Sequence, residues 1–436
     1  MESKKRVLVA FPTEWDVRQL AACRESWESR YEVEFAQPSD EECSWDFDVP
    51  GFIRRTVEEK RTRIRGVFSS SDYPGATAAA AIATGLGLPG PRPADVIRAS
   101  HKYYSRIVQR EAAPTATPWF ALVDPALPEG EPPGIGFPCF LKPVKGAFSV
   151  MSKKIDDASE LEAFLARPAV IEFLSDYVFI FNRLVSELTD FEINGSYFIA
   201  EELLKGKQVT LEGFVGSRGV VRLGIVDSVR HPKTKSFVRF EYPTNLPRRV
   251  QERMWEVAES VIERLGLVNT LFNVEFMYHA ERDRVSIVEV NPRMCGQFAD
   301  LYEKVDGVNS YEIALLLASG QSPSVPQLEG AYRVAASFPL RIFEPSRVVH
   351  APSADEIAAA ESKFEKTLVW SECATGDALD DFESIEDGKS ARYAIVNLGA
   401  DKHERLLARF DEVKNALGYR FETCPPRTRP KSSDSA

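Results

Sequence analysis

One stretch constrains this chain more than any other: LFNVEFMYHAERDRVSIVEVNPR, residues 271–293, in which polar and apolar residues alternate on either side of a polar turn. Period-two alternation is the mark of half-buried strands, so the segment predicts a β-hairpin. Its first strand places Phe272, Val274 and Phe276 on one face and Asn273 and Glu275 on the other. In the second strand Val285, Ile287, Glu289, Asn291 and Arg293 share one parity, and a turn centred on Arg282 pairs Glu275 with Glu289 and Asn273 with Asn291. Like charges directly opposite on a sheet repel, so the two carboxylates either stay solvated on a half-exposed hairpin or share a cation. Oxygen ligands at this density favour magnesium.

The rest of the chain supplies the setting. At 436 residues it exceeds what one hydrophobic core supports, so several subdomains are expected. The first hundred residues alternate strand and helix: Val7–Phe11, a helix through Trp27, Tyr31–Phe35, a basic helix, Val67–Ser69 and an Ala-rich helix. Gly85, Gly87 and Gly90 spell GxGxxG, but they follow a helix and lead into PGPRP. A dinucleotide fingerprint follows a strand and opens a helix, so that reading is rejected. From Phe140 to Val215 apolar alternation suggests hairpins around a helix near Ser159–Leu165. Helical periodicity returns at Arg248–Leu265 and Ser310–Ala318, each closed by glycine, and the segments AYRVAASFPLRIF and ARYAIVNLG read as strands before a charged helix at Lys402–Leu417. The expected units are 1–98 (α/β), 99–200, 201–322 and 323–424 (α+β), with a tail at 425–436 too poor in apolar residues to order.

Composition narrows the functional classes. A formal charge of −11 disfavours binding to nucleic acid, and no apolar run approaches a membrane span. The six cysteines are scattered singly, without CxxC spacing, which fits a reducing cytoplasm better than a zinc site or a disulfide framework. The run VLVAF behind Lys4, Lys5 and Arg6 is too short for a signal peptide. The sequence contains no GxxxxGK[ST], GxSxG or HExxH.

With VEVNPR at Val288–Arg293 the chain resembles the ATP-grasp superfamily, whose nucleotide-binding domain ends on a strand of this pattern. The resemblance implies ATP as substrate and magnesium, replaceable by manganese, held by Glu275, Glu289 and Asn291. Arg293 would lie against the reacting carboxylate or acyl phosphate. In FPCFLKPVKGAFSVMSKKI, Lys142 and the small-residue loop with Lys145 and Ser149 resemble the family's phosphate grip. Lys102 matches a further phosphate lysine. In YFIAEELLKGKQVTLEGFV, Glu201, Glu202 and Leu204 fall at the adenine-binding positions, and Gln208 stands where relatives carry a ribose-binding glutamate.

The resemblance extends to amino-acid ligases related to bacilysin synthetase, and it implies an ATP-grasp fold with an N-terminal preATP-grasp domain and a C-terminal lobe. The expected reaction joins a small carboxylic acid or amino acid to an amine through an acyl phosphate. His231, Glu241 and Tyr242 fall where relatives line an acceptor pocket, and Gln297, with Met294 and Cys295, follows Arg293 into the same region. Two other readings stay open: a carboxylase-like or purine-pathway enzyme with the same hairpin, and a regulatory protein that binds ATP without turnover. Many relatives are dimers, so a homodimer is compatible, although no interface is legible.

Overall fold

The computed structural model describes residues 4–38, 46–126, 135–146, 150–232, 234, 236–379 and 390–424. Its centre is an antiparallel eight-stranded sheet in the order Arg284–Asn291, Thr270–His279, Lys207–Gly216, Gly219–Arg230, Phe237–Tyr242, Val334–Ile342, Ala391–Ala400, Leu368–Ser371. A four-stranded antiparallel sheet, Phe120–Val123, Phe198–Glu202, Cys139–Pro143 and Lys153–Ile155, stands opposite the hairpin end. The N-terminal layer is a parallel sheet, Tyr31–Ala36, Lys5–Ala10 and Gly66–Phe68, carrying the helix Gly75–Leu86. A small sheet of Ala378–Leu379, Ser346–His350 and Arg420–Thr423 belongs to the C-terminal part.

Alternation decides what each face of the large sheet does. Phe272, Val274, Phe276, Tyr278, Val209 and Leu211 enter one core with the helix Arg248–Leu265, whose Val250, Met254, Ala258, Val261, Ile262 and Leu265 recur at helical spacing. Each fully buried aliphatic side chain there contributes roughly 1.5–3 kcal/mol. Gly266, at φ 77°, ends the helix in the left-handed cap that only glycine adopts cheaply. The opposite face is covered at one end by the helices Ala299–Asp306 and Ser310–Ala318, which share a core with Val7, Val9, Val226 and Leu271. At its other end that face carries polar residues.

One expectation fails between residues 168 and 188. Instead of hairpin strands the segment forms Pro168–Glu172, a π-helical turn at Phe173–Tyr177 and the helix Phe179–Leu188. Pro168 opens the first helix, where its missing N–H costs nothing, and Phe181, Leu184 and Val185 then bury at helical spacing. Among the described residues no helix is long and apolar enough to cross a membrane.

Candidate active site

The hairpin pairs Glu275 with Glu289 and Asn273 with Asn291, but by a different route from simple alternation. Near the tip His279 opposes Arg284 and Phe276 opposes Ile287, so the ladder there is centred half a residue before Arg282. A bulge that leaves Val288 without a partner then restores the register of the two glutamates. Val285 and Ile287 therefore lie in the core, whereas Glu289 and Asn291 face the other way. The single parity expected for Val285 through Arg293 is broken by the bulge.

Because Arg284–Asn291 is the edge strand, the bulge turns its free backbone groups outward. The Ile287 N–H donates to the Ala116 carbonyl at 2.8 Å. The Val288 carbonyl accepts from Arg106 Nη2 at 2.7 Å and from Lys142 Nζ at 3.3 Å. Lys142 comes from the four-stranded sheet, and the bulge carbonyl thus ties the two sheets together across the site.

Around Lys142 lies a buried charge network. Arg106 is 1% exposed and clamps Glu201 through Nε at 2.8 Å and Nη2 at 3.1 Å, while Lys142 Nζ lies 2.9 Å from the same carboxylate. Burial alone would raise the Glu201 carboxyl, but Arg106 and Lys142 outweigh it and hold it at about 2. Burial lowers both Lys142 and Lys145, against the pull of Glu201 and Asp72 respectively. Lys102, at the start of the helix Lys102–Ala112, donates to the Gly146 carbonyl at 2.8 Å and lies 3.5 Å from Glu289. The cavity bordered by Lys102, Lys142, Lys145, Glu289 and Asp72 has a volume of about 10 Å³, room for about one water.

Arg293 follows the hairpin and faces Asp72, with Nε 3.8 Å from Oδ1, while Lys145 Nζ lies 3.0 Å from Asp72 Oδ2. The segment after Arg293 is held from beneath. Glu212, fully buried, accepts from the Cys295 N–H at 2.6 Å, and burial pushes its carboxyl up to about 7. Burial and the Glu212 charge push the Cys295 thiol up to about 12. Gln297 Nε2 donates to Ser337 Oγ at 2.8 Å, and Asn397 donates to the Gln297 carbonyl and to Asp300. The C-terminal strands therefore support the segment that carries Gln297.

The structure brings Lys102, Lys142, Lys145, Glu201, Gln208, Glu275, Glu289, Asn291 and Arg293 to one region, but not in uniform roles. Gln208 Nε2 donates to Glu275 Oε2 at 2.8 Å while Gln208 Oε1 accepts from Arg230 at 2.5 Å, so this amide orients Glu275. Glu202 is engaged by Arg284 at 2.6 and 3.0 Å. Leu204 is half-buried in the turn leading to Gly206, whose φ of 128° and approach to the Tyr278 carbonyl leave no space for a side chain. Ser149 and the tail 425–436 lie outside the described residues.

Glu241 is a correction. It opposes Asp227, which opposes Val209, so it projects from the core face of the sheet, away from Gln208, Glu212 and Glu275. There it pairs with Arg239 at 2.6 Å and His403 at 3.3 Å. His231 packs at a tilt against Phe343 with ring centroids 4.6 Å apart, and Tyr242 packs in the core with its hydroxyl on Asp306. Sequence reasoning missed Arg106, Glu212 and Asp72. Arg106 lies four residues after Lys102 on one helix, and Glu212 shares the parity of Gln208 inside an apolar strand, so both had a periodic signal. Asp72, in the loop SSSDYPG, had none.

Glu275 and Glu289 fit a magnesium ion, since a cation between two directly opposite carboxylates offsets their repulsion. Asn291 Nδ2 donates to Asn273 Oδ1 at 2.9 Å, which leaves Asn291 Oδ1 as the atom able to ligate. Among the described residues no group of three or more His, Cys, Asp or Glu side chains forms a closed metal cage. Magnesium typically uses one or two carboxylates plus substrate phosphates, and this donor set matches that habit.

Residues 135–300 match a family profile described as an ATP-grasp domain. No curated protein matches the sequence. The fold is similar to that of L-amino acid ligase from Bacillus licheniformis, at TM-score 0.69 and 15% identity over 97% of this chain and 100% of the other. It is similar to phosphoribosylglycinamide synthetase from Anaerococcus prevotii, at 0.65 and 15% over 96% and 100%. A third similar structure is the biotin carboxylase domain of 2-oxoglutarate carboxylase from Hydrogenobacter thermophilus, in complex with MgADP and bicarbonate, at 0.64 and 15% over 97% and 92%.

Proposed function

We propose that this chain is an ATP-dependent carboxylate–amine ligase acting on a small acid or amino acid in the cytoplasm, a reading supported by the match of residues 135–300 to an ATP-grasp domain and by the similarity of its fold to that of L-amino acid ligase. The observation that carries the reading is the convergence of the opposed pair Glu275 and Glu289 with Lys102, Lys142 and Arg293 at the gap between two sheets. That arrangement offers cation sites and fixed positive charge to a polyphosphate on one side and an arginine to a carboxylate on the other.

In this reading Lys102 and Lys142 bind the phosphates of ATP. Glu275, Glu289 and Asn291 would hold magnesium, which would supply neutralisation of the charge on the transferred phosphoryl group. Arg293 orients the carboxylate for attack on the terminal phosphorus, from which ADP leaves to give the acyl phosphate. Glu212, through the Cys295 N–H, keeps the backbone after Arg293 in place, and Gln297 lines the position from which an amine approaches. The amine nitrogen then forms the new C–N bond as phosphate leaves the acyl carbon. Catalysis rests on positioning and charge, with no protein nucleophile required.

Incubation with ATP, magnesium, pooled amino acids and pooled small acids tests the proposal by phosphate release and new amide masses. Acid- and amine-dependent phosphate, lost in Arg293→Ala, supports it. Phosphate release driven by bicarbonate alone would favour the carboxylase-type reading, and tight ATP binding without turnover would favour a regulatory one.

A further inference from the structure

The carboxylate position opposite Arg293 already contains a carboxylate, that of Asp72. This residue comes from the N-terminal layer, in the loop between Gly66–Phe68 and Gly75–Leu86, whereas the lysines, glutamates and arginine around it belong to the two sheets and their connections. Its side chain is 14% exposed and lies 3.0 Å from Lys145 and 3.8 Å from Arg293, with Lys102 contributing to the same field. Burial alone would raise the carboxyl, yet Lys145, Arg293 and Lys102 together hold it well below the usual carboxylate range.

The two contacts differ in quality. With Lys145 the distance is that of a hydrogen-bonded ion pair. With Arg293 it is not, and among the described residues Asp72 Oδ1 and Arg293 Nε, both buried, have no hydrogen-bond partner. A guanidinium binds best to a carboxylate that presents both oxygens in its plane, so a free acid can offer Arg293 what Asp72 does not. Lys145 has a second anchor besides Asp72, since it sits over the rings of Tyr73 and Phe181 at 5.3 and 5.5 Å. The Tyr73 hydroxyl, bonded to the Tyr177 carbonyl at 3.0 Å and to the Phe181 N–H at 2.7 Å, anchors the loop next to Asp72. Asp72 can therefore leave by rotating its own side chain while both cations stay. The cavity that Asp72 and Lys145 border, with Lys102 and Glu289, has a volume of only about 10 Å³, so an incoming anion has to displace something.

We propose that Asp72 is the specificity-determining gate of the carboxylate subsite: it fills the anion position between Lys145 and Arg293 until a substrate carboxylate displaces it. This rests on the ligase reading of Arg293 given above. Two consequences follow from the geometry. Weak or poorly fitting anions lose the competition with a tethered carboxylate, so the subsite selects acids able to make the bidentate contact. While Asp72 is in place its negative charge also stands beside the cations that a transferred phosphoryl group would face, which disfavours transfer to water and keeps ATP from being hydrolysed without an acid.

Inorganic phosphate serves as the anion probe, its binding measured calorimetrically on the full chain with saturating MgADP so that the nucleotide positions are filled. Asp72→Asn removes the charge at nearly constant shape, and its phosphate affinity is expected to rise about tenfold, the effect of one fewer negative charge at this range. Acid-independent ATP hydrolysis is expected to rise in the same variant. Asp72→Glu, which keeps the charge, should resemble the parent in both assays, and Asp72→Ser provides a second neutral variant should the amide fold poorly. Unchanged or weaker phosphate binding in both folded neutral variants would overturn the proposal and leave Asp72 as a structural partner of Lys145. Arg293→Ala in the Asp72→Asn background separates the two readings. If it abolishes the gain, the carboxylate subsite stands. If phosphate binding ignores Arg293 in every background, the ligase reading of that residue fails with it.

Discussion

Arg106 is the perturbation whose consequences can be worked furthest from the structure. Replacing it with methionine keeps the volume of the stem but removes both contacts to Glu201, the bond to Gln109 and the donation to the Val288 carbonyl. Glu201 keeps Lys142, at 2.9 Å, but Oε1 loses its cation in a buried site. Breaking a buried pair from one side costs roughly 3–5 kcal/mol. The net effect of burial, Arg106 and Lys142 on Glu201 has a similar size. Glu201 is held at about 2 against an ordinary 4.5, and that difference corresponds to roughly 3 kcal/mol. The sign follows from the depressed value: this stabilisation is present above the unfolded pKa near 4.5 and is lost as pH falls from there towards 2. Urea denaturation of the parent and Arg106→Met between pH 7 and pH 3 reads both quantities. The variant should be several kcal/mol weaker at pH 7 and should lose less on acidification. A loss below about 1 kcal/mol at pH 7, as for a surface ion pair, or an unchanged acid slope, would refute the network as described.

Other outcomes follow from the same geometry. Glu289→Gln, which removes one of the opposed carboxylates, should cut magnesium-dependent ATP turnover about 100-fold, measured across a magnesium titration; unaltered magnesium dependence would remove Glu289 from the metal site. Glu212→Gln should stabilise the protein by roughly 3 kcal/mol at pH 8 and leave it unchanged near pH 4.5. Its folded pKa is raised to about 7, so the cost of burying the charge builds between the unfolded pKa and 7; thermal melts at both pH values check this.

What the sequence disclosed and what it hid have physical causes. The pairing of Glu275 with Glu289 was legible because the hairpin turn is short and the polar insertions interrupt a clear alternation. The bulge at Val288 was not, since an extra residue in one strand leaves no compositional trace when both neighbours are compatible with a strand. The helices Arg248–Leu265 and Ser310–Ala318 were visible to the residue because glycine or a small polar segment closes each. The helices at 168–188 were obscured because apolar runs such as VFIF fit strand and helix equally until packing decides. Glu241 was misplaced by chain position alone, which carries no information about the face of a strand. Asp72 reaches the site only through the packing of the N-terminal layer against the sheets, a long-range relation that no local pattern records.

The most direct test of the account follows oxygen. With the acid that the pooled assay identifies, labelled with ¹⁸O in its carboxylate, and with the matching amine, released phosphate is examined by mass spectrometry. Attack of the carboxylate on the terminal phosphorus and departure of phosphate from the acyl carbon predict that a carboxylate oxygen appears in phosphate, one for each amide formed, and that this transfer disappears in Arg293→Ala. Phosphate carrying only solvent oxygen, or AMP and pyrophosphate as the products, would contradict the acyl-phosphate route at its central step.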